Sequence, residues 1–242
     1  MDGPVRTFVI IAIIVGALGY SFTSNRSDEQ ALLASVAPNW DAISAWPRVE
    51  ISEQIAPDPD RVTTVIVLDD SGSMANDMRD ARDAVVRAVQ ALPDNARVAV
   101  IGLNNPNILE AMPAPDARSI IRDRVARIPA DGSTPLAAAL SRAHAILESE
   151  AAMQRGFGTY RIILTTDGEA DSENDLRRAV AQVLSTSPVE LTTIGIGLGR
   201  GHVLQLEGHT TYLRIRNISQ LEQALLDVNA EQTAFEQLDS FE

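Results

Sequence analysis

Residues 62–74 read Val-Thr-Thr-Val-Ile-Val-Leu-Asp-Asp-Ser-Gly-Ser-Met. The first seven are apolar or β-branched without a break, which is typical of a strand buried on both faces. The run ends abruptly in Asp69, and Ser71 and Ser73 follow at alternate positions, giving the pattern Asp-x-Ser-x-Ser. In a loop that leaves a buried strand, alternate side chains can converge on one point, and such a set of hard oxygen atoms suits Mg²⁺ or Mn²⁺.

Two further segments supply more oxygen atoms. Gly132-Ser133-Thr134-Pro135-Leu136 places a third hydroxyl, that of Thr134, before an Ala-rich helix. Residues 162–168 read Ile-Ile-Leu-Thr-Thr-Asp-Gly, so a second apolar strand ends in a second carboxylate, Asp167. Because ligands in open α/β sheets gather beyond the carboxyl ends of the strands, we expect these three segments to meet at one edge of the sheet.

The sequence after Asp60 alternates between strand and helix patterns, which predicts an α/β fold with a doubly wound, mostly parallel sheet flanked by helices. The predicted strands cover residues 62–68, 97–103, 160–165, 189–196 and 211–215, the last of them at an edge of the sheet. The predicted helices cover residues 77–92, 117–128, 135–153, 171–186 and 219–229, and a Pro-rich loop is predicted at 104–115.

The three segments together resemble a von Willebrand factor type A domain that carries a metal-ion-dependent adhesion site, of the bacterial membrane-anchored type. The resemblance covers roughly residues 61 to 232, and the family's motif of Asp-x-Ser-x-Ser, then Thr, then Asp matches Asp69, Ser71, Ser73, Thr134 and Asp167. It implies a Rossmann-like fold and a bound Mg²⁺, with Mn²⁺ as a substitute. It also implies that the three hydroxyls bind the metal directly or nearly so, while the two carboxylates bind it directly or anchor the direct ligands. An Asp or Glu of a partner protein would complete the coordination.

The same residues have simpler interpretations. Asp69, Asp167 and the two serines could cap helices, since Asp and Ser are common at helix N-termini. Asp70 occupies the variable position of the motif and is interpreted as an added local charge. The acidic residues 171, 173 and 175 are interpreted as the solvated start of a helix, where negative charge is favourable.

Composition excludes several classes of protein. The chain has 242 residues, enough for one domain with an appendage, and a formal net charge of −13. Nucleic-acid binders grip phosphates with clustered cations, so this acidity disfavours that class. The absence of Cys excludes disulfides, thiol catalysis and Cys-bound zinc, and all 20 basic residues are Arg.

The amino-terminal segment is apolar from Phe8 to Tyr20, and residues 4–24 could form one helix of about 20 residues, long enough to span a bilayer. We expect a transmembrane anchor at 1–24 that leaves the domain outside the cytoplasmic membrane; cleavage as a signal peptide, giving a periplasmic or secreted protein, is the alternative. Residues 25–60 are interpreted as a stalk or linker, 61–232 as the domain and 233–242 as an acidic tail. Trp40 and Trp46 of the stalk could either lie at the membrane surface or pack on the domain, and the sequence alone does not decide between the two.

The function expected from these features is non-catalytic, metal-dependent binding of a protein partner. A structural scaffold with a vestigial metal site is the alternative. A metal-dependent phosphohydrolase is a third, because an apolar strand that ends in Asp69-Asp70 resembles haloacid-dehalogenase-type phosphatases. That family requires Asp two residues after its nucleophile and a Lys for the phosphate, whereas this chain has Ser71 there and no Lys.

Overall fold

The computed structural model describes residues 31–198 and 202–230. Within them, six strands form one sheet: β1 (Val62–Leu68), β2 (Arg97–Gly102), β3 (Leu109–Pro113), β4 (Thr159–Thr166), β5 (Glu190–Ile196) and β6 (Thr211–Ile215). Residues 31–35 are also helical, and the helices that follow are α1 (Trp40–Ser44), α2 (Met78–Gln90), α3 (Ala114–Val125), α4 (Leu136–Met153), α5 (Glu173–Thr186) and α6 (Leu221–Ala230). Short 3₁₀ turns at Gly72–Asn76 and Ile218–Gln220 precede α2 and α6.

The sheet has the strand order β3-β2-β1-β4-β5-β6, which places β1 and β4 side by side near its centre. All neighbouring strands are parallel except β2 and β3, which are antiparallel. The predicted α/β fold with a mostly parallel sheet is therefore confirmed, and the sheet is mixed rather than wholly parallel.

The sequence of β1 does not alternate between apolar and polar residues, because its side chains are buried on both faces of the sheet. Ile66 and Leu68 pack with α2, α3 and α6 on one face of the sheet. Val65 and Val67 pack with α4 and α5 on the other face. All four are completely buried, as expected of a central strand covered by helices on both sides.

Strand β3 lies within residues 104–115, where the sequence predicts a loop, and that prediction is wrong for this part of the segment. The strand lies at the edge of the sheet and pairs with β2 through an irregular register. Pro113 is its last residue, and edge strands are where proline is tolerated in a sheet. The helix that follows consequently begins at Ala114 and ends at Val125, three residues before the predicted bounds at each end.

Residues 31–60, the described part of the predicted stalk, lie against the domain. Leu32, Val36 and Trp46 are buried in the apolar cluster that covers the α4 and α5 face of the sheet. The Trp46 ring meets the Tyr160 ring edge to face, with 4.9 Å between centroids. Trp40, by contrast, is 71% exposed. Trp46 is therefore part of the folded unit, while the division of the chain into anchor, stalk, domain and tail stays a prediction.

Among the described residues, no helix combines the length and the apolar character that crossing a bilayer requires. The apolar segment predicted at 4–24 and the tail at 233–242 both lie outside the described residues.

Candidate metal centre

The two motif carboxylates meet because β1 and β4 are adjacent parallel strands. Asp69 follows the last residue of β1, and Asp167 follows the last residue of β4. The backbone N–H of Asp167 donates a hydrogen bond of 3.2 Å to Oδ2 of Asp69. The carboxyl ends of these two strands therefore form the floor of the site, as the sheet pattern predicts.

Asp69 is completely buried. Its Oδ1 accepts hydrogen bonds from the backbone N–H of Ser71 (3.0 Å) and from the Ser71 hydroxyl (2.6 Å). Burial raises the pKa of the Asp69 carboxyl above its ordinary value; hydrogen bonds from Ser71 and Thr166 oppose the shift, and the nearby charge of Asp167 adds to it. The protein groups around Asp69 thus compensate its negative charge only in part.

The two serine hydroxyls connect the carboxylates. Ser71 Oγ and Ser73 Oγ lie 3.0 Å apart, and Ser73 Oγ donates a hydrogen bond of 2.8 Å to Oδ1 of Asp167. Asp69, Ser71, Ser73 and Asp167 therefore form one continuous chain of oxygen contacts.

Thr134 reaches the same place from the loop between α3 and α4. The N–H of Gly72, inside the Asp-x-Ser-x-Ser loop, donates to the carbonyl of Gly132 at 3.1 Å. The Thr134 hydroxyl lies beside Gly168, since a Cβ placed on that glycine would be 3.8 Å from Thr134 Oγ1. The structure thus brings all five residues of the motif to one edge of the sheet.

This set of side chains fits a hard divalent cation. Mg²⁺ prefers oxygen ligands in an octahedral arrangement, and here three hydroxyls and two carboxylates converge. In residues 31–198 and 202–230 no group of three or more His, Cys, Asp or Glu side chains could hold a metal, so the hydroxyls would have to supply much of the coordination. A cation at this point would also offset the cost of burying the Asp69 charge.

The helix-cap interpretation of the motif residues is wrong. Ser71 flanks the 3₁₀ turn at Gly72–Asn76 and makes no side-chain cap bond, and the residue that precedes α2 is Asp77. Helix α5 is capped by Ser172, whose hydroxyl accepts from the N–H of Asp175.

Asp70 is not an added local charge, because it is completely buried and both of its carboxylate oxygens are hydrogen-bonded. Its Oδ1 accepts from the backbone N–H and the side-chain amide of Asn104, and its Oδ2 accepts in the same way from Asn105. The Asn104 amide also donates to the carbonyl of Ser133 at 3.0 Å. Asp70 therefore anchors the loop after β2, and that loop in turn supports the loop that carries Thr134.

Two glycines make this close packing possible. A Cβ on Gly102 would overlap the Asp70 carboxylate. Gly132 has a φ of +93°, and a Cβ there would lie 2.6 Å from the Asn104 side-chain oxygen. Both positions thus require glycine.

Asp171 is a second residue whose place the sequence does not reveal. Its Oδ2 accepts from the Ser133 hydroxyl at 2.5 Å, and its Oδ1 accepts from the backbone N–H of Thr134 at 2.9 Å. The interpretation of Asp171 as merely part of a solvated helix start is therefore wrong. The only sequence signal is its position four residues after Asp167, and that spacing does not predict a contact with a loop more than 30 residues earlier.

Comparison with known proteins supports the family suggested by the motif. Residues 64–169, a range that includes all five motif residues, match the family model of the von Willebrand factor type A domain. No curated protein matches the chain. Residues 64–169 are thus similar in sequence to this family, and the fold of the described residues is similar to that of a solved von Willebrand factor type A protein.

Several solved structures share the fold. A von Willebrand factor type A protein from Catenulispora acidiphila is 22% identical, with a TM-score of 0.56 over 71% of this chain and 42% of that one. The pilus adhesin SpaC from Lactobacillus rhamnosus GG is 15% identical, with a TM-score of 0.54 over 76% of this chain and 32% of that one. The manganese-loaded TRAP protein of Plasmodium vivax is 17% identical, with a TM-score of 0.52 over 71% and 74%. This chain spans less than half of the first two proteins, and identities this low establish a common fold.

Replacing Asp70 should destabilise the fold. Asp70→Ala leaves four N–H donors of Asn104 and Asn105 without their acceptor, so we expect the free energy of unfolding to fall by about 3 kcal/mol or more. The matched control is Asp116→Ala, which removes an exposed carboxylate from the first turn of α3 and should cost less than about 1 kcal/mol.

Urea denaturation of the two variants measures this difference. Asp70→Asn keeps one acceptor oxygen, so its unfolding midpoint should lie between those of Asp70→Ala and Asp116→Ala. It also provides a folded variant if Asp70→Ala does not fold. Equal unfolding midpoints for Asp70→Ala and Asp116→Ala would contradict the structural role of Asp70.

Proposed function

We propose that this chain is a non-catalytic, metal-dependent protein-binding module. Ser71, Ser73 and Thr134 would hold Mg²⁺ or Mn²⁺ together with Asp69 and Asp167. When bound, the cation would supply a Lewis-acid position for a carboxylate oxygen of an Asp or Glu on a partner protein. Two proteins with this fold support the proposal, since the TRAP protein is manganese-loaded and SpaC is a pilus adhesin.

The observation that carries the proposal is the gradient of exposure across the five side chains. Asp69 and Ser71 are buried, Thr134 and Asp167 are half-buried, and Ser73 is exposed. A cation held by these oxygens would have protein ligands on the sheet side and an accessible position on the solvent side. Such an accessible position is what an external carboxylate needs.

The burial of Asp69 also disfavours the phosphohydrolase. A nucleophilic carboxylate needs one oxygen free to approach the phosphorus atom. Both oxygens of Asp69 accept hydrogen bonds within the protein, and the residue has no exposed surface. The scaffold alternative differs from the proposal in metal binding, so a metal titration separates the two.

Calorimetric titration of Mg²⁺ and Mn²⁺ into the 242-residue chain tests the proposal. We expect saturable binding in the wild type and at least about tenfold weaker binding in Asp69→Ala, Asp167→Ala and Thr134→Ala, since each change removes a ligand or its anchor. Asp116→Ala is the control and should bind like the wild type. Asp116 lies in α3, which directly follows Pro113, and Pro113 pairs with the amino end of β2, whereas the site lies at the carboxyl ends of the strands. Circular dichroism of each metal-free variant checks that it is folded.

A second titration, of acetate into the metal-loaded chain, should show binding that a chelator abolishes. A wild-type chain without metal affinity would favour the scaffold instead. Turnover of p-nitrophenyl phosphate that disappears in Asp69→Asn would favour the phosphohydrolase.

We further propose that the domain is displayed on the outer side of the cytoplasmic membrane. The proposal rests on the apolar sequence at 4–24, which lies outside the described residues. The intact mass of the chain recovered from a membrane fraction tests it. An uncleaved mass agrees with an anchor, whereas a mature protein that begins near residue 20 in the soluble fraction would establish signal-peptide cleavage.

A further inference from the structure

The loop that carries Thr134 has little structure of its own. Residues 126–135, between α3 and α4, form neither helix nor strand, and Asp131, Gly132 and Ser133 are exposed. Fixing the backbone of a loop residue costs conformational entropy, which has to be offset by contacts from outside the loop. The position of the Thr134 hydroxyl therefore depends on the groups that hold this loop.

Asp171 makes three hydrogen bonds to this loop. Its carboxylate accepts one bond from the Ser133 hydroxyl and one from the Thr134 N–H. In addition, the Asp171 N–H donates to the Thr134 carbonyl at 3.1 Å. Thr134 is therefore held through both its N–H and its C=O by a single residue.

The residues that follow Asp171 provide the helix cap and the ion pairs that are expected at an acidic helix start. Ser172 caps α5. Glu173 pairs with Arg177, and Asp175 pairs with Arg178, in each case one turn further along the helix. Capping and ion pairing along α5 are thus provided without Asp171, whose carboxylate is directed to the Thr134 loop.

We propose that Asp171 is a positioning residue of the metal centre, which fixes Thr134 in the place where its hydroxyl binds the cation. The inference rests on the proposed metal-binding function. Asp171 lies in the same short connection as Asp167, so its three hydrogen bonds join the segment with the second carboxylate to the segment with the third hydroxyl. The loop is then ordered during folding rather than during metal binding, and the affinity for Mg²⁺ is higher for that reason.

Calorimetry of the 242-residue chain with Mg²⁺ tests the proposal. Asp171→Ala should weaken the affinity about tenfold, because ordering one loop residue upon binding lowers the affinity by about one order of magnitude. Asp175→Ala is the matched control, since it removes the same charge from the same exposed stretch without contact to Thr134, and its affinity should stay within about twofold of the wild type. Asp171→Asn keeps an oxygen that can accept from the Thr134 N–H and should restore most of the affinity.

A double-mutant cycle shows whether Asp171 acts through Thr134. In a Thr134→Ala background, Asp171→Ala should have no further effect on the affinity for Mg²⁺, because the group that it positions is gone. Additive losses in the double variant, or equal losses in Asp171→Ala and Asp175→Ala, would overturn the proposal.

Amide hydrogen exchange of the metal-free chain separates this proposal from the proposed function. In Asp171→Ala the amides of residues 132–134 should exchange at least about tenfold faster than in Asp175→Ala, since local opening of the loop becomes easier. Unchanged exchange would overturn the positioning role even if the wild type binds Mg²⁺. Faster exchange in a chain that does not bind Mg²⁺ would support the bracing of the loop and refute the metal function.

Discussion

Two consecutive carboxylates are buried at the carboxyl end of the central strand, and the surrounding loops are arranged around them. Moving a charged carboxylate out of water costs several kcal/mol unless hydrogen bonds or opposite charges compensate it. Asp69 and Asp70 both have no exposed surface, so each needs donors within reach. The fold supplies these donors from the loop that follows β1 and from the loops that follow the strands on either side of it.

The two carboxylates are compensated in different ways, and from this difference we infer a structural role for Asp70 and a metal-binding role for Asp69. Asp70 accepts four N–H bonds from Asn104 and Asn105, which follow β2. Asp69 accepts bonds from Ser71 and from the N–H of Asp167, which follows β4, and burial still raises its pKa. Asp70 thus fixes the loops by its hydrogen bonds, whereas the ionised form of Asp69 is the form that a divalent cation would stabilise.

The sequence predicts those features that depend on residues close together in the chain. The bounds of β1 and β6 agree with the structure, because each strand is a short run of strand-forming residues bounded by polar residues. The motif also indicates which five side chains meet, since two of its segments end parallel strands and the third precedes a helix.

The features that the sequence does not reveal depend on contacts between distant segments. Edge strand β3 is defined by its pairing with β2. Its own apolar pattern is short and is followed by two nearby prolines, so the sequence of the segment does not indicate a strand. The roles of Asp70 and Asp171 rest on partners about 35 residues away in sequence. Trp46 likewise packs on Tyr160, more than 100 residues away, so its burial could not be read from the segment around it.

The most direct test of whether the oxygens of the Asp-x-Ser-x-Ser loop, Thr134 and Asp167 hold one divalent cation is anomalous diffraction. Crystals of the chain grown with Mn²⁺ and measured near the manganese absorption edge locate the metal without assumptions about its ligands. We predict one strong peak at a coordination distance of about 2 Å from the hydroxyl oxygens of Ser71 and Ser73, with Thr134 as a direct or water-bridged ligand. A peak elsewhere, or no peak at saturating Mn²⁺ while Ser71 and Ser73 remain bonded to the carboxylates, would contradict this assignment of the metal centre.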